Sequence, residues 1–209
     1  MSDQNHWQRV YEEKSADAVS WYQERPALSL ELIKKVWSGP GMKLVDIGGG
    51  ASTLVDHLLE EGGFEVTVVD LAEAALETSR RRLGERAEDV QWLAADLTKP
   101  LPLNDVFDIW HDRAVFHFMV EAADRQAYLA NLRRHLRPGG VAILATFGSD
   151  GPERCSGLAV RRYEPDELAM VLGDDFELIE TRSEVHQTPW GSGQSFRYVV
   201  FMARPRAEE

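Results

Sequence analysis

The stretch "LVDIGGGAST", Leu44–Thr53, decides how the rest of the chain is read. A short apolar run carries one acid, Asp46, and leads straight into three successive glycines, Gly48, Gly49 and Gly50. Glycine weakens any regular element it occupies. Three together mark a point where the backbone bends sharply and something approaches the main chain closely. "KLVDI" reads as a buried strand, and Ser52 or Thr53 as the cap of a helix running to about Glu61. Strand, glycine turn and helix N-terminus together form a site whose amides favour a polar or negative ligand group.

The same rhythm continues downstream. Gly62 and Gly63 stop the first helix, "EVTVVD" is a second strand ending at Asp70, and "AEAALETSRRRL" a helix. "VQWLAAD" and "VFDIWHD" are the third and fourth strands. "ADRQAYLANLRRHL" is a helix closed by "RPGG", and "VAILATF" a fifth strand. Strands alternating with helices predict a parallel sheet covered on both faces. Upstream, Leu28, Leu32, Ile33 and Val36 give "ALSLELIKKVW" one apolar helical face, which Gly39, Pro40 and Gly41 terminate. Past Phe147 the pattern changes. "GSDGPERCSGLAVRRY" reads as a long loop and "EPDELAMVLG" as a helix with Pro165 in its first turn. "FELIETRSEV" and "QSFRYVVFMAR" are two strands with no helix between them, hence an antiparallel pair. The expected fold is α/β: a Rossmann-like, doubly wound, mostly parallel seven-stranded sheet with a C-terminal antiparallel strand pair and helices on both faces.

Composition narrows the functional classes. The formal net charge of −12 excludes a broad nucleic-acid surface, which needs clustered Lys and Arg, and a polybasic membrane anchor. Cys155 is the single cysteine, so neither an internal disulfide nor a cysteine-based zinc site can form. "MSDQNHWQRV" lacks the apolar centre of a signal peptide, and no apolar run is long enough to cross a bilayer. A cytoplasmic protein is expected, with no dedicated metal motif and an oligomeric state left open.

Asp70 ends the second strand where a ribose-binding carboxylate belongs in such folds. It could accept from both ribose hydroxyls, or cap the next helix. A dinucleotide fingerprint would place a third glycine at position 53, which is Thr53. Asp46 would also repel a pyrophosphate. A ligand with a positive centre and an amino group, such as S-adenosylmethionine, suits the site better.

"VDIGGGAS" resembles the first motif, D/E-x-G-x-G-x-G, of the class I S-adenosylmethionine-dependent methyltransferases. Asp46, Gly48 and Gly50 match it, and Ser52 replaces the last glycine. "VTVVD", "AAD" and "FDIWHDRAVFHF" resemble the following motifs, and "LRPGGVAILATF" the turn and strand after them. The resemblance covers Leu44 to Phe147 most strongly, with the closing strand pair extending it to the C-terminus, and implies a cofactor site of Asp46, Gly48, Gly49, Gly50, Asp70, Leu71, Asp96, Leu97 and His111; Trp21, from the N-terminal segment, is the further candidate for it. Within it Asp70 would hold the ribose and Asp96 the adenine amino group. It also implies one domain over residues 1–209. Residues 1–40 would form a helical lid, 41–147 the cofactor-binding core, and 148–209 the acceptor loop and closing strands.

The active site of such a fold lies beyond the C-terminal ends of the strands. The fourth strand therefore brings His111, Asp112 and Arg113 toward the methyl group as candidate catalytic residues, with Trp110, Phe116 and Phe118 as pocket walls. His111 is the more natural base because imidazole titrates near neutrality; the alternative is that all three are packed and paired. In "VSWYQ", Trp21 and Tyr22 could close over cofactor and acceptor, or simply pack the N-terminal segment on the sheet. "DGPERCSGLAVRRYEPDEL" resembles the loop of thiopurine and thiol methyltransferases, and Arg154, Arg161 and Arg162 could meet an anionic acceptor. Cys155 reads as an ordinary buried thiol. The expected reaction is methyl transfer to S, N or O of a small molecule, leaving S-adenosylhomocysteine. The rivals are a protein-lysine acceptor, a non-catalytic cofactor-binding module and a nicotinamide oxidoreductase.

Overall fold

A strand buried on both faces needs apolar side chains at consecutive positions, and β1 (Met42–Ile47) has them. Leu44 enters the core on one side of the sheet, and Val45 and Ile47 the core on the other. In the computed structural model, which describes residues 4–205, seven strands make one sheet. They are β1, β2 (Phe64–Asp70), β3 (Val90–Ala94), β4 (Phe107–Arg113), β5 (Leu136–Phe147), and the last two, β8 (Phe176–Gln187) and β9 (Gly193–Ala203). Their order is β3-β2-β1-β4-β5-β9-β8. The first five run parallel, while β9 pairs antiparallel with both β5 and β8. The expected fold class holds. The first and last few residues of the single domain read from the sequence lie outside the described residues.

Helices α3 (Leu54–Glu61), α4 (Glu73–Leu83), α5 (Ala122–His135) and α6 (Pro165–Leu172) fill the crossovers, with α1 (Gln4–Glu13) and α2 (Ala27–Lys35) ahead of β1. Their ends follow local chemistry. The Leu54 amide donates to Ser52 Oγ at 3.1 Å, and Glu164 with Glu167 forms a capping box in front of Pro165 in α6. Ser52, rather than Thr53, supplies the cap; the Thr53 hydroxyl instead donates to the Gln23 carbonyl at 2.9 Å.

Two elements depart from expectation. "RPGG" does not end the helix and precede the strand as a separate turn. Leu136 already pairs with Phe107, and the register shifts before Val141 meets Ile109, so the segment is an irregularity inside β5. The long loop contains a two-stranded ribbon, β6 (Arg154–Cys155) and β7 (Leu158–Ala159). Its turn is Ser156-Gly157, both at positive φ (50° and 79°), the geometry that joins short antiparallel strands. Strands of two residues leave no periodicity to read.

The chain winds outward from β1 through β2 to β3, then returns to β4 on the other side of β1. The crevice at the C-terminal ends of β1 and β4 is thus the point where the winding reverses, where open α/β sheets bind their ligands.

Candidate active site

The three glycines are required by the protein's own packing. Gly48 has φ +68°, and a Cβ there would lie 2.1 Å from Val115 Cγ2. At Gly49 a Cβ would meet Asp46 Oδ2 at 2.2 Å, and at Gly50 it would meet the Ala75 methyl at 2.4 Å and Asp70 Oδ2 at 2.6 Å. The turn is pressed between β4's end, the β1 acid and the first turn of α4. Gly48→Ala adds both a backbone strain and an overlap with a packed valine. It should therefore cost about 2–4 kcal/mol in urea denaturation.

Asp70 ties this turn together. Its Oδ2 accepts from the Gly50 amide at 3.1 Å and its Oδ1 from the Ala72 amide at 2.8 Å. The same carboxylate thus holds the residue that precedes α4 and lines the cleft. Burial raises its pKa to about 6 against the two amides that pull it down. Asp46, 2% exposed, gives Oδ1 to His111 Nδ1 at 2.7 Å, while its Oδ2 has no partner among the described residues. Asp96 accepts from the Thr98 amide (2.9 Å) and hydroxyl (2.7 Å). Burial works to raise its pKa, but the Thr98 hydrogen bonds and nearby Lys99 outweigh it and hold the carboxyl below its usual range.

Two adjoining recesses open from the glycine turn. One is lined by Gly48, Asp70, Leu71, Asp96 and Leu97 on the sheet side and by Trp7, Tyr11, Trp21, Phe118 and Met119 opposite, with Arg113 and Cys155 also on its wall. The other is lined by Ser29, Asp46, Gly48, Gly49 and His111, with Trp21, Tyr22 and Arg113. Each of the residues expected to hold a cofactor lines one of these recesses except Gly50, which sits behind the turn against Asp70.

Of the residues on β4, alternate ones face opposite sides. His111 and Arg113 point toward the recesses, whereas Trp110 and Asp112 point into the opposite core. Asp112 is fully buried. It accepts from the Val115 and Phe116 amides at 3.0 and 3.1 Å and from the Tyr128 hydroxyl at 2.6 Å. It thereby braces the turn that holds Ala114 at φ 71°, a conformation costly for alanine. The expectation that Asp112 meets the acceptor is corrected: it faces away from the cleft. Trp110 and Phe116 likewise belong to that opposite core, leaving Phe118 as the wall.

His111 is also committed. Nδ1 lies 2.7 Å from Asp46 Oδ1 and Nε2 lies 2.9 Å from Ser29 Oγ. Both ring nitrogens are thus engaged inside the protein, so the expected base role does not fit this arrangement. Arg113 donates from Nε to Tyr198 Oη (2.9 Å) and from Nη1 to the Trp21 carbonyl (3.0 Å), and its guanidinium lies 4.5 Å from the Phe196 ring centre. It holds Trp21 in place at the mouth. Arg154 and Arg162 bond to loop carbonyls, and Arg161 lies over Tyr163. They organise the loop and line neither recess. The loop reaches the cleft through Cys155 instead, whose thiol burial pushes up to about 11, which leaves it un-ionised at neutral pH. His117, packed between Phe118 and Phe147, is lowered to about 3 by burial and stays neutral.

Trp21 and Phe118 were expected at the cleft, but the other half of the aromatic wall, Trp7 and Tyr11, was not. Trp7 packs edge-on against Trp21 (5.6 Å) and Phe118 (5.1 Å), and Tyr11 against Trp21 (6.3 Å). Trp7 and Tyr11 stand four residues apart on α1, hence on one face. That spacing was the only available signal. Helix α1 is seated by Gln8, which accepts from the Ala74 amide at 3.2 Å, and by His6 beside Ser156 (3.3 Å). Among the described residues no group of His, Cys, Asp and Glu is arranged to hold a metal ion, and no helix is long and apolar enough to cross a membrane.

Residues 45–142 match the family model described as "Methyltransferase domain". Over 152 residues the chain is 24% identical to the eEF1A lysine and N-terminal methyltransferase of Danio rerio, covering 71% of this chain and 22% of that protein. Over 117 residues it is 32% identical to the ubiquinone/menaquinone biosynthesis C-methyltransferase of Paracoccus denitrificans, covering 53% and 45% respectively. The chain therefore spans from about a fifth to under half of the length of these relatives. Among solved structures, one concerns the conversion of a disulfide bond into a thioacetal group during echinomycin biosynthesis. It superposes with a TM-score of 0.77 at 18% identity, over 99% of this chain and 95% of that one. Another is the Burkholderia thailandensis 1,6-didemethyltoxoflavin-N1-methyltransferase with bound 1,6-didemethyltoxoflavin and S-adenosylhomocysteine. It gives 0.69 at 24% identity, over 97% and 84%.

Proposed function

We infer, from a chain whose residues 45–142 match the methyltransferase-domain family model, that the protein methylates a small, largely apolar molecule with S-adenosylmethionine as donor. The observation that carries the reading is the pair of joined recesses at the β1/β4 crevice. One, floored by Gly48 and Gly49 beside Asp46, suits the amino-acid end of the cofactor; the other sets Asp70, Leu71, Asp96 and Leu97 opposite Trp7, Tyr11, Trp21 and Phe118, so that nucleoside and acceptor would share it.

The residues present suit the cofactor. The unpartnered Asp46 Oδ2 is an acceptor for its α-ammonium beside Gly48 and Gly49, Asp70 and Leu71 suit its ribose, and Asp96 and Leu97 its adenine. When bound, S-adenosylmethionine supplies an electrophilic methyl group on a sulfonium. The protein's part is to orient the acceptor and exclude water. In-line displacement gains most from such positioning, and an aromatic enclosure provides it. Bases are scarce here: Asp112 is turned away, His111 is committed and the Cys155 thiol stays protonated. The chemistry therefore suits an acceptor that is already nucleophilic, an amine or an ionised thiol or enol.

A recess walled by Trp7, Tyr11, Trp21 and Phe118 favours a small apolar acceptor over a charged lysine side chain delivered by a folded protein. No membrane or nucleic-acid partner is part of the reading, and the cytoplasm is its natural compartment. The test is calorimetric titration with S-adenosylmethionine, S-adenosylhomocysteine and NAD, followed by a screen of small amines, thiols and enols. Binding of the first two without NAD supports it; binding of NAD alone overturns it. A finer result concerns Trp21. A sulfonium gains from an aromatic face where the uncharged thioether does not. Trp21→Ala should therefore weaken S-adenosylmethionine about fivefold more than S-adenosylhomocysteine, as read by the same titration.

A further inference from the structure

Three buried polar side chains from three elements meet on the wall of the glycine slot. Ser29 lies in the first turn of α2, His111 on β4 and Asp46 on β1. They are 0%, 3% and 2% exposed. Ser29 Oγ is 2.9 Å from His111 Nε2, and His111 Nδ1 is 2.7 Å from Asp46 Oδ1. The imidazole links the other two, one ring nitrogen to the carboxylate and the other to the hydroxyl. The same three residue types perform acyl transfer elsewhere. Here the serine is 0% exposed and stands on a wall of the recess shared with Asp46 and His111. The chain's free end is at the other terminus: Asp46 Oδ2, buried, without a partner, on a carboxylate that lines the slot. An unpartnered buried carboxylate oxygen is expensive and is retained where a cation completes it.

We propose that Ser29 and His111 are positioning residues for the amino-acid end of the cofactor: through their hydrogen bonds they fix the plane of the Asp46 carboxylate so that Oδ2 receives an α-ammonium group. The proposal rests on the S-adenosylmethionine reading above. It also gives α2 a function, because its first turn, just behind Trp21 and Tyr22, then carries the outermost link to the cofactor. Without His111, Asp46 Oδ1 loses its partner and nothing fixes the carboxylate plane. The carboxylate would then be free to rotate, and the ammonium would lose its fixed counter-charge while the adenosine contacts at Asp70 and Asp96 stay as they are.

The test compares two probes on the full chain. S-adenosylhomocysteine has the amino-acid end; 5′-methylthioadenosine has the same nucleoside and thioether without it. His111→Leu should weaken the first roughly tenfold or more, the loss expected for an ill-held charge-assisted hydrogen bond, and leave the second unchanged. His111→Asn, whose amide can donate from the Nδ1 position, should restore most of the loss. Ser29→Ala, which removes only the outer link, should give a smaller loss of about threefold, again on S-adenosylhomocysteine alone, and decides the matter if His111→Leu does not fold. Equal losses on both probes, or none on either, would overturn the proposal, as would labelling of Ser29 by a fluorophosphonate. Failure of the wild-type protein to bind either probe would instead overturn the methyltransferase reading and take the proposal with it.

Discussion

Asp70→Ala should weaken S-adenosylhomocysteine binding about a hundredfold, the loss of two hydrogen bonds to a charged acceptor. The same carboxylate that would take the ribose hydroxyls also holds the Gly50 and Ala72 amides. Removing it thus disorders the glycine turn as well as deleting the contact. The pH dependence separates these two effects. Burial raises the folded-state pKa of Asp70 to about 6, above the usual carboxylate range. Such a group favours the folded state in its protonated form. Its contribution to stability therefore grows as pH falls through 6 toward the unfolded value near 4. Ligand binding runs the other way, because both ribose hydroxyls need acceptor oxygens and a carboxylic acid offers fewer. Calorimetry from pH 7 to pH 5 should show affinity falling while the urea midpoint does not fall on account of this residue. In Asp70→Asn, which does not titrate, that fall in affinity should vanish. A flat wild-type profile would mean that the ribose does not reach Asp70.

The second large effect is on stability. Asp112→Ala should lower the unfolding free energy by about 3–5 kcal/mol, the usual result of removing one member of a buried charged network. The Val115 and Phe116 amides and the Tyr128 hydroxyl all lose their acceptor at once, and the positive-φ turn at Ala114 loses its brace. Burial has already pushed this carboxyl up to about 6, so Asp112 is held by its partners against the cost of being charged there. Asp112→Asn keeps one acceptor oxygen and should cost distinctly less. Urea denaturation reads both variants, and titration of the folded protein should find S-adenosylhomocysteine affinity within about twofold of wild type. Full stability combined with lost turnover would instead return Asp112 to the acceptor site.

The contrast between Asp70 and Asp112 shows how far residue type and position carry. Both stand at the C-terminal end of a parallel strand, Asp70 as the last residue and Asp112 as the last but one, both are buried, and both are raised to about 6. Only side-chain direction separates them: Asp70 turns to the crevice and Asp112 to the opposite core. The alternation along β4 was readable, since Trp110 and Asp112 must share one face and His111 and Arg113 the other. Which face opens onto the cleft was not, because that depends on where β1 and β5 lie and on what covers each side. Trp7 and Tyr11 show the same limit from the other direction. Their helix touches α4 through Gln8 and Ala74, and the ribbon through His6 and Ser156, partners 66 and 150 residues away.

The sequence by itself determined the elements and the crevice. An apolar strand, three glycines and a capped helix are set by neighbours within a few residues, where backbone sterics and hydrogen bonding decide. Alternation of strands and helices then leaves few ways to wind the sheet. The tertiary structure decided the site: which side of β4 faces the ligand, that His111 is spent on Asp46 and Ser29, and that α1 supplies half of the aromatic wall. Those outcomes rest on side chains that meet only after folding. Whether such a group is a free reactant or a satisfied partner depends on the hydrogen bonds it finds there.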